Sequence, residues 1–140
     1  MHLKLAALQS FWESKAARKR SLPARVDFDV LELWPWLGNL ALVEVIDGGA
    51  DFRYRLHGTV MVEILGMDLT GRRLSGMTAT MQEVAGRECR AAVQSRRPTS
   101  FTRIRFDRPS DHRRVTSLLL PLAADGSTVD MLLQGLYFAD

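Results

Sequence analysis

The sequence has little of the chemistry that cross-links and metal centres require. Cys89 is the one cysteine in 140 residues, which excludes an intramolecular disulfide and a multi-cysteine zinc site. The three histidines, His2, His57 and His112, lie far apart and have no spacing typical of a metal site. We therefore expect no metal, and the single cysteine agrees with a reducing compartment.

Long apolar runs are also lacking. The longest, residues 118–124, contains Pro121 and is far shorter than the roughly 20 residues that a membrane-spanning helix needs. The N-terminus lacks the continuous apolar block and the small-residue cleavage site of a secretion signal. These absences predict a cytoplasmic protein that does not bind a membrane.

The charge of the chain is not strongly one-sided. Lysine and arginine together number 19 and the acidic residues 16, which gives a net charge of +3. The arginines are dispersed among the acidic residues, a pattern typical of a solvated surface rather than of one basic face. Nucleic acid is therefore not an expected partner. With 46% hydrophobic residues, the chain is suited to forming one small domain.

Motifs of catalysis are absent from the sequence. No serine or cysteine lies in a nucleophile elbow, no glycine-rich phosphate loop is present, and no pair of carboxylates lies in a recognisable catalytic motif. We therefore do not expect an enzyme.

The N-terminal residues have a helical pattern. Between residues 3 and 20, Leu5, Leu8 and Trp12 fall on one side, and basic residues gather at the end, where they interact favourably with the helix dipole. Pro23 ends this helix, and a second short helix is expected over residues 26–34, before Pro35. The pattern predicts an amphipathic helix in residues 1–21 and a main domain in residues 22–140.

The rest of the chain alternates between strand and helix patterns. Strands are expected at residues 40–46, 52–57, 101–106, 114–122 and 129–138, with helices from Thr59 to Gly66 and over residues 79–97. Two strands, two helices and three strands predict an α+β fold in which helices cover one face of a five-stranded antiparallel sheet. The apolar last strand indicates that the other face is also covered, by the N-terminal helix, a partner subunit, or both.

The stretch from residue 51 to residue 74 changes its apolar period partway through. Apolar and polar residues alternate over 52–57, which assigns His57 to the polar face of a half-buried strand. Thr59 is expected to cap the helix that follows, which Gly66 ends, and Gly71 suits a turn with positive φ. Such a junction provides a wall and a lid for a binding site.

Together with Leu22-Pro23-Ala24-Arg25, Pro35-Trp36-Leu37 and Leu118-Leu119-Leu120-Pro121-Leu122, this stretch resembles bacterial PAS domains of the short, divergent group best known from alphaproteobacteria. The resemblance covers roughly residues 20 to 138. It implies a PAS-like sheet with the terminal strand at the centre beside the first strand. It also implies a sensor or interaction module, although a fold does not specify the signal.

The resemblance bears on cofactors as well. A haem-binding PAS domain usually carries a histidine on its long helix, and residues 78–97 contain none. Cys89-Arg90 resembles part of the flavin-photosensor motif, but the flanking asparagine and Phe-Leu-Gln are missing. We therefore expect no haem, flavin or other cofactor, and we expect Cys89 to be a buried structural cysteine.

Two functions of different classes remain open, with a third that has less support. The first is a small-molecule sensor, and the second is a docking or oligomerising adaptor with a filled core. The third is binding of a cyclic dinucleotide by Arg108-Pro109-Ser110-Asp111, a pattern that arises by chance about once in such a chain.

The sensor hypothesis assigns a largely apolar pocket to the space beneath the helices. Tyr54, His57 and Thr59 are expected at its polar entrance. The other pocket candidates are Met77, Met81, Phe101, Leu118 and Met131. A homodimer is expected through an N-terminal apolar stripe of Leu5, Leu8, Phe11 and Trp12, which should pack on the outer face of the sheet and on the partner. The signal is expected to pass to a downstream protein of unknown identity.

Overall fold

Five strands form one antiparallel sheet in the computed structural model, which describes residues 1–105 and 110–139. The strands are β1 (Leu40–Ile46), β2 (Asp51–His57), β3 (Thr99–Ile104), β4 (Arg114–Leu122) and β5 (Met131–Phe138), in the spatial order β2-β1-β5-β4-β3. The C-terminal strand thus lies at the centre, beside the first. This arrangement confirms the predicted α+β fold.

In the described part of the chain, four α-helices accompany the sheet: α1 (Leu3–Lys19), α2 (Val30–Leu33), α3 (Thr59–Leu65) and α4 (Ala79–Ser95). The second is shorter than predicted, because 3₁₀ turns occupy Arg25–Asp27 and Trp34–Asn39 on either side of it. At the end of α4, Arg96 takes a left-handed conformation with φ 56°, so this helix ends before the predicted Arg97.

The cap of α3 differs from the prediction. Gly58, not Thr59, is the N-cap residue, and Thr59 is the first residue of the helix, with its side chain exposed. Gly58 has an extended backbone, and its N–H donates to the Leu40 carbonyl at 2.8 Å. The end of β2 is therefore pressed so closely against the neighbouring backbone that no side chain fits there.

The helix α1 covers one face of the sheet. Leu5 and Leu8 are completely buried, and a Cβ added to Gly135 of β5 would lie 2.8 Å from one and 3.0 Å from the other. The Trp12 indole N–H donates to the Pro121 carbonyl of β4 at 3.0 Å. The glycine therefore forms the notch in which α1 lies, as expected for a sheet whose two faces are both covered.

The helices α3 and α4 lie across the opposite face. Each buries an apolar stripe, which includes Met61 and Ile64 in α3 and Met81 and Ala85 in α4. Among the described residues, no helix combines the length and the hydropathy needed to cross a bilayer. The Arg108-Pro109-Ser110-Asp111 pattern lies partly outside the described residues, so the structure does not test it.

The position of Gly58 generates a first prediction. A Cβ at this residue would collide with the Gly38 carbonyl and lie 2.7 Å from the Leu40 carbonyl oxygen, and backbone atoms cannot move aside. We expect Gly58→Ala to lower the free energy of unfolding in urea by about 3 kcal/mol. Gly76→Ala is the control, because a Cβ there meets no atom within 4 Å. Equal free energies for the two variants would contradict the close approach.

Candidate functional site

A partly open cavity of about 60 Å³ lies between the sheet and the two helices α3 and α4. Helix, strand and loop residues all contribute to its wall, which is mostly apolar. The lining residues are Tyr54, His57, Met61, Ile64, Leu65, Leu69, Met81, Ala85, Glu88, Cys89, Arg103, Arg105, Val115, Leu119, Gln134 and Leu136. A mostly apolar enclosure with few polar groups is typical of small-molecule sites.

A β-bulge in β2 turns His57 into this cavity. Leu42 of β1 pairs with Leu56 and the next residue, Val43, pairs with Tyr54, so Arg55 is the extra residue. After the bulge the alternation of faces is shifted by one: His57 is buried, whereas Leu56 is 41% exposed. The predicted polar-face position of His57 is therefore wrong, and its ring lies near that of Tyr54, with centroids 5.8 Å apart.

The helix α4 supplies one wall through its inward face. Met81, Ala85, Glu88 and Cys89 recur at helical spacing, and all four are buried. Cys89 therefore is the buried cysteine that its apolar surroundings predicted. Glu88 is the exception to the apolar character of this face, and its carboxylate is only 5% exposed.

Two arginines, Arg103 near the end of β3 and Arg105 just after it, pair with acidic residues and hold the two helices. Arg103 Nε donates to Glu88 Oε2 at 2.9 Å, which joins β3 to α4. Arg105, whose side chain is 3% exposed, donates to the Ile64 carbonyl near the end of α3 and to Asp111 Oδ2 at 3.1 Å. Each buried charge therefore has a hydrogen-bonded partner, as a low-dielectric site requires.

Gln134 of β5 leaves one polar atom without a partner. Its Nε2 donates to Ser117 Oγ at 2.9 Å, but its buried Oε1 has no hydrogen-bond partner among the described residues. An unpaired buried acceptor costs about 1–3 kcal/mol. An amide that lines a cavity and lacks a partner is therefore suited to bind a molecule within that cavity.

Burial changes the titration of three groups in the wall. It lowers the pKa of His57, an effect that the Asp68 carboxylate 3.9 Å away partly opposes. Burial, with the Glu88 charge as the next cause, raises the pKa of the Cys89 thiol to about 12, so the thiol stays protonated and unreactive at neutral pH. Burial also raises the pKa of Tyr54 well above its usual range.

The structure brings together three of the eight pocket candidates, Tyr54, His57 and Met81. The other five do not line this cavity. Leu118 pairs with Gly135 and therefore shares the sheet face that α1 covers. The remaining four are Thr59, Met77, Phe101 and Met131; Thr59 is exposed and the other three are half-buried. The binding role of all eight stays a prediction.

Three of the four dimer candidates are buried within their own chain. Leu5, Leu8 and Trp12 lie against the sheet, and Phe11 stacks on Trp36 with ring centroids 5.9 Å apart. Their expected packing on the outer face of the sheet is thus observed in one chain. Their contact with a second chain stays a prediction.

Sequence reasoning missed the polar residues of the cavity, although signals for them existed. Glu88 follows Met81 by seven residues, about two helical turns, and therefore lies on the same face of the helix. Arg103 and Arg105 follow Phe101 at intervals of two residues, so the strand pattern places all three on one face. Gln134 interrupts an apolar strand on the side of its inward-facing leucines. Charged and amide side chains at such positions are easily taken for surface residues. In the described parts of the chain, no three His, Cys, Asp or Glu residues are grouped to hold a metal ion.

The buried histidine makes stability depend on pH. His57 Nδ1 accepts the Leu69 N–H at 3.2 Å, so the folded state favours the neutral ring, whereas the unfolded chain titrates near pH 6.5. Below that pH the unfolded state binds more protons, and the folded state loses stability. We expect the free energy of unfolding to fall between pH 7 and pH 5, and to fall less in His57→Asn. The control His112→Asn removes an exposed histidine, and the same loss of pH dependence in both variants would contradict this assignment.

Comparisons with known proteins support the fold. A light-oxygen-voltage domain studied with a flavin analogue superimposes with a TM-score of 0.55 at 14% identity, covering 80% of this chain and 86% of that one. A domain of an HTR-like protein from Haloarcula marismortui gives 0.51 at 16% identity, covering 73% and 99%. The PAS domain of the histidine kinase ThkA gives 0.50 at 15% identity, covering 69% and 96%.

These identities are low, so the solved structures show a shared fold and nothing of a shared ligand. No curated protein matches the chain. A family model described as the PAS domain matches residues 1–137, which include α1 as well as the sheet. The chain therefore belongs to the PAS domain family.

Proposed function

We propose that this PAS domain is a sensory module that binds a small molecule in the cavity and transmits its presence to a partner protein. The unpaired Gln134 oxygen in the cavity wall is the observation that carries the proposal. A core that was only structural would be more stable with an apolar residue there, because a buried polar group without a partner destabilises the fold.

The size of the cavity restricts the ligand. Pockets for drug-sized molecules and cofactors have volumes of roughly 300–1,000 Å³. A cavity of about 60 Å³ does not fit a flavin or a haem. The raised pKa of Cys89 likewise gives no support to a reactive thiolate. The proposed ligand is therefore a small metabolite.

The alternative is an adaptor whose cavity holds only water. A cavity of this size with some polar groups in its wall has room for several ordered water molecules, and one of them could donate to Gln134. The two functions differ in whether the cavity exchanges its contents with the cell. Occupancy by a molecule from the cell is therefore the measurement that separates them.

Filling the cavity tests the sensor proposal. Ala85 lines it from α4, whereas Ala79 is exposed at the start of the same helix. In native mass spectra of protein isolated from its own cells, we expect a bound small molecule in the wild type and in Ala79→Leu. It should be absent from Ala85→Leu, whose larger side chain occupies the space.

A second measurement supports the first. At about 100 times its dissociation constant, the released molecule should stabilise the wild type by about 2.7 kcal/mol and leave Ala85→Leu unchanged. If no chain carries a bound mass, and a broad metabolite screen gives no thermal shift, the adaptor function is favoured over the sensor.

The proposal also includes a homodimer as the signalling unit, and its surface follows from exposure. Leu5 and Leu8 are completely buried, so their side chains are not accessible for contact with a second chain. On the neighbouring α2 segment, three apolar residues close in sequence, Val30, Leu31 and Trp34, are 50%, 78% and 70% exposed. An apolar patch on a PAS domain, a fold that often mediates dimerisation, supports contact with a second copy through this face.

Light scattering tests this dimer. We expect the wild type to have twice the mass of one chain, and Leu31→Ser to shift the equilibrium towards the monomer because it removes apolar area from the contact. Met67→Ser is the matched control, since Met67 is 42% exposed in a loop on the cavity side. A monomeric wild type would exclude the dimer, and an unchanged mass for Leu31→Ser would exclude this surface.

A further inference from the structure

The charged side chains that line the cavity are already neutralised. Glu88 is paired with Arg103, and Arg105 is paired with Asp111. A ligand carboxylate would have to displace one of these acids, and a ligand ammonium group would compete with an arginine. Since an ion loses part of its hydration among these mostly buried lining residues, a charged ligand without a new partner is disfavoured.

The unpaired end of Gln134 remains unpaired whichever way its amide is oriented. In the orientation shown, Oε1 has no partner; after exchange of oxygen and nitrogen, Ser117 would donate to Oε1 and Nε2 would lack a partner. A group that both donates and accepts satisfies either orientation. A hydroxyl and a primary amide are the simplest uncharged groups of this kind.

The sheet register places a second polar group near this amide. Ala41 of β1 pairs with His57 on one side and with Gln134 on the other, so the two residues are two strand spacings apart, roughly 10 Å. Because His57 Nδ1 accepts from Leu69, the hydrogen of the neutral ring is on Nε2, which is a donor. Both residues line the same cavity, so a single bound molecule is within reach of both.

Volume sets the length of such a molecule. Each buried water needs about 10–15 Å³ of cavity volume. A cavity of about 60 Å³ therefore holds about four to six waters, or a molecule with a similar number of non-hydrogen atoms. Met61, Ile64, Leu65 and Leu69 form the opposite, apolar side. This side is suited to a short alkyl group.

We propose that the ligand is uncharged, has about four to six non-hydrogen atoms, and carries a hydroxyl or primary amide that hydrogen-bonds Gln134 while its alkyl part contacts α3. This inference rests on the proposed sensory function and specifies the class of molecule that is sensed. Short alcohols and short aliphatic amides are the members of that class.

A series of matched three-carbon probes tests it. Propan-1-ol, propanamide, propanoate and propylammonium have nearly the same size and differ in charge. Each is titrated into the ¹⁵N-labelled full chain, and the side-chain amide signals of Gln134 are followed by NMR. We expect saturable shifts with the alcohol and the amide and none with the two ions.

Variants assign the effect to the amide of Gln134. Gln134→Met keeps the shape but loses the hydrogen bond, so we expect propanamide to bind at least about fivefold more weakly. Gln94→Met changes an exposed glutamine of α4 and should leave the affinity unchanged. If Gln134→Met does not fold, the wild-type NMR titration with the four probes still tests the proposed ligand class.

The outcomes separate this inference from the sensory function. Tighter binding of propanoate than of propanamide would overturn the inference and leave a sensor of anions. Equal affinity in the wild type and Gln134→Met would overturn the role of the amide. Absence of saturable binding by all four probes would also overturn the inference, whereas the native mass spectrum decides the sensory function independently.

Discussion

The pairing of β5 between β1 and β4 is the constraint on which the rest of the structure depends. Because successive residues of a strand point to opposite faces, the adjacent Gln134 and Gly135 lie on opposite faces of the sheet. Gly135 admits α1 on one face, and Gln134 enters the cavity on the other. The cavity and the N-terminal helix are therefore separated by one peptide unit at the centre of the sheet.

This proximity gives the proposed sensor a short physical route. A molecule bound at Gln134 contacts the strand whose next residue holds Leu5 and Leu8 of α1. Close-packed contacts of this kind transmit small displacements because the interior has few voids. The helix α1 is in turn joined to the exposed α2 segment by the Lys15–Glu32 ion pair, with a distance of 3.0 Å.

Hydrogen bonds from two arginines hold the helices α3 and α4 in place over the cavity. Arg103 joins β3 to α4, and Arg105 donates to a carbonyl near the C-terminus of α3, where the helix dipole favours a cation. A buried ion pair contributes little net stability compared with apolar packing, but losing one partner is costly. These arginines therefore act mainly by specifying where α3 and α4 lie on the sheet, which in turn sets the dimensions of the cavity.

Much of the architecture could be predicted because its signals are local. The bounds of β1 and β4 were predicted without error, since period-two patterns depend on near neighbours. The predicted end of α4 was wrong by two residues, because Arg96 takes a left-handed conformation that no local sequence pattern indicates. The cap at Gly58 was missed because its cause is backbone crowding by residues distant in sequence.

By itself, the sequence determined the element order, the two-sided sheet and the resemblance to PAS domains, because these follow from apolar periodicity and short motifs. Only the tertiary structure decided which side chains meet in the cavity. The bulge at Arg55 exists through pairing with β1 and reverses the face of His57. The unpaired state of Gln134 likewise depends on what β4, α3 and α4 place around it, and such non-local contacts have no signature in one segment of the chain.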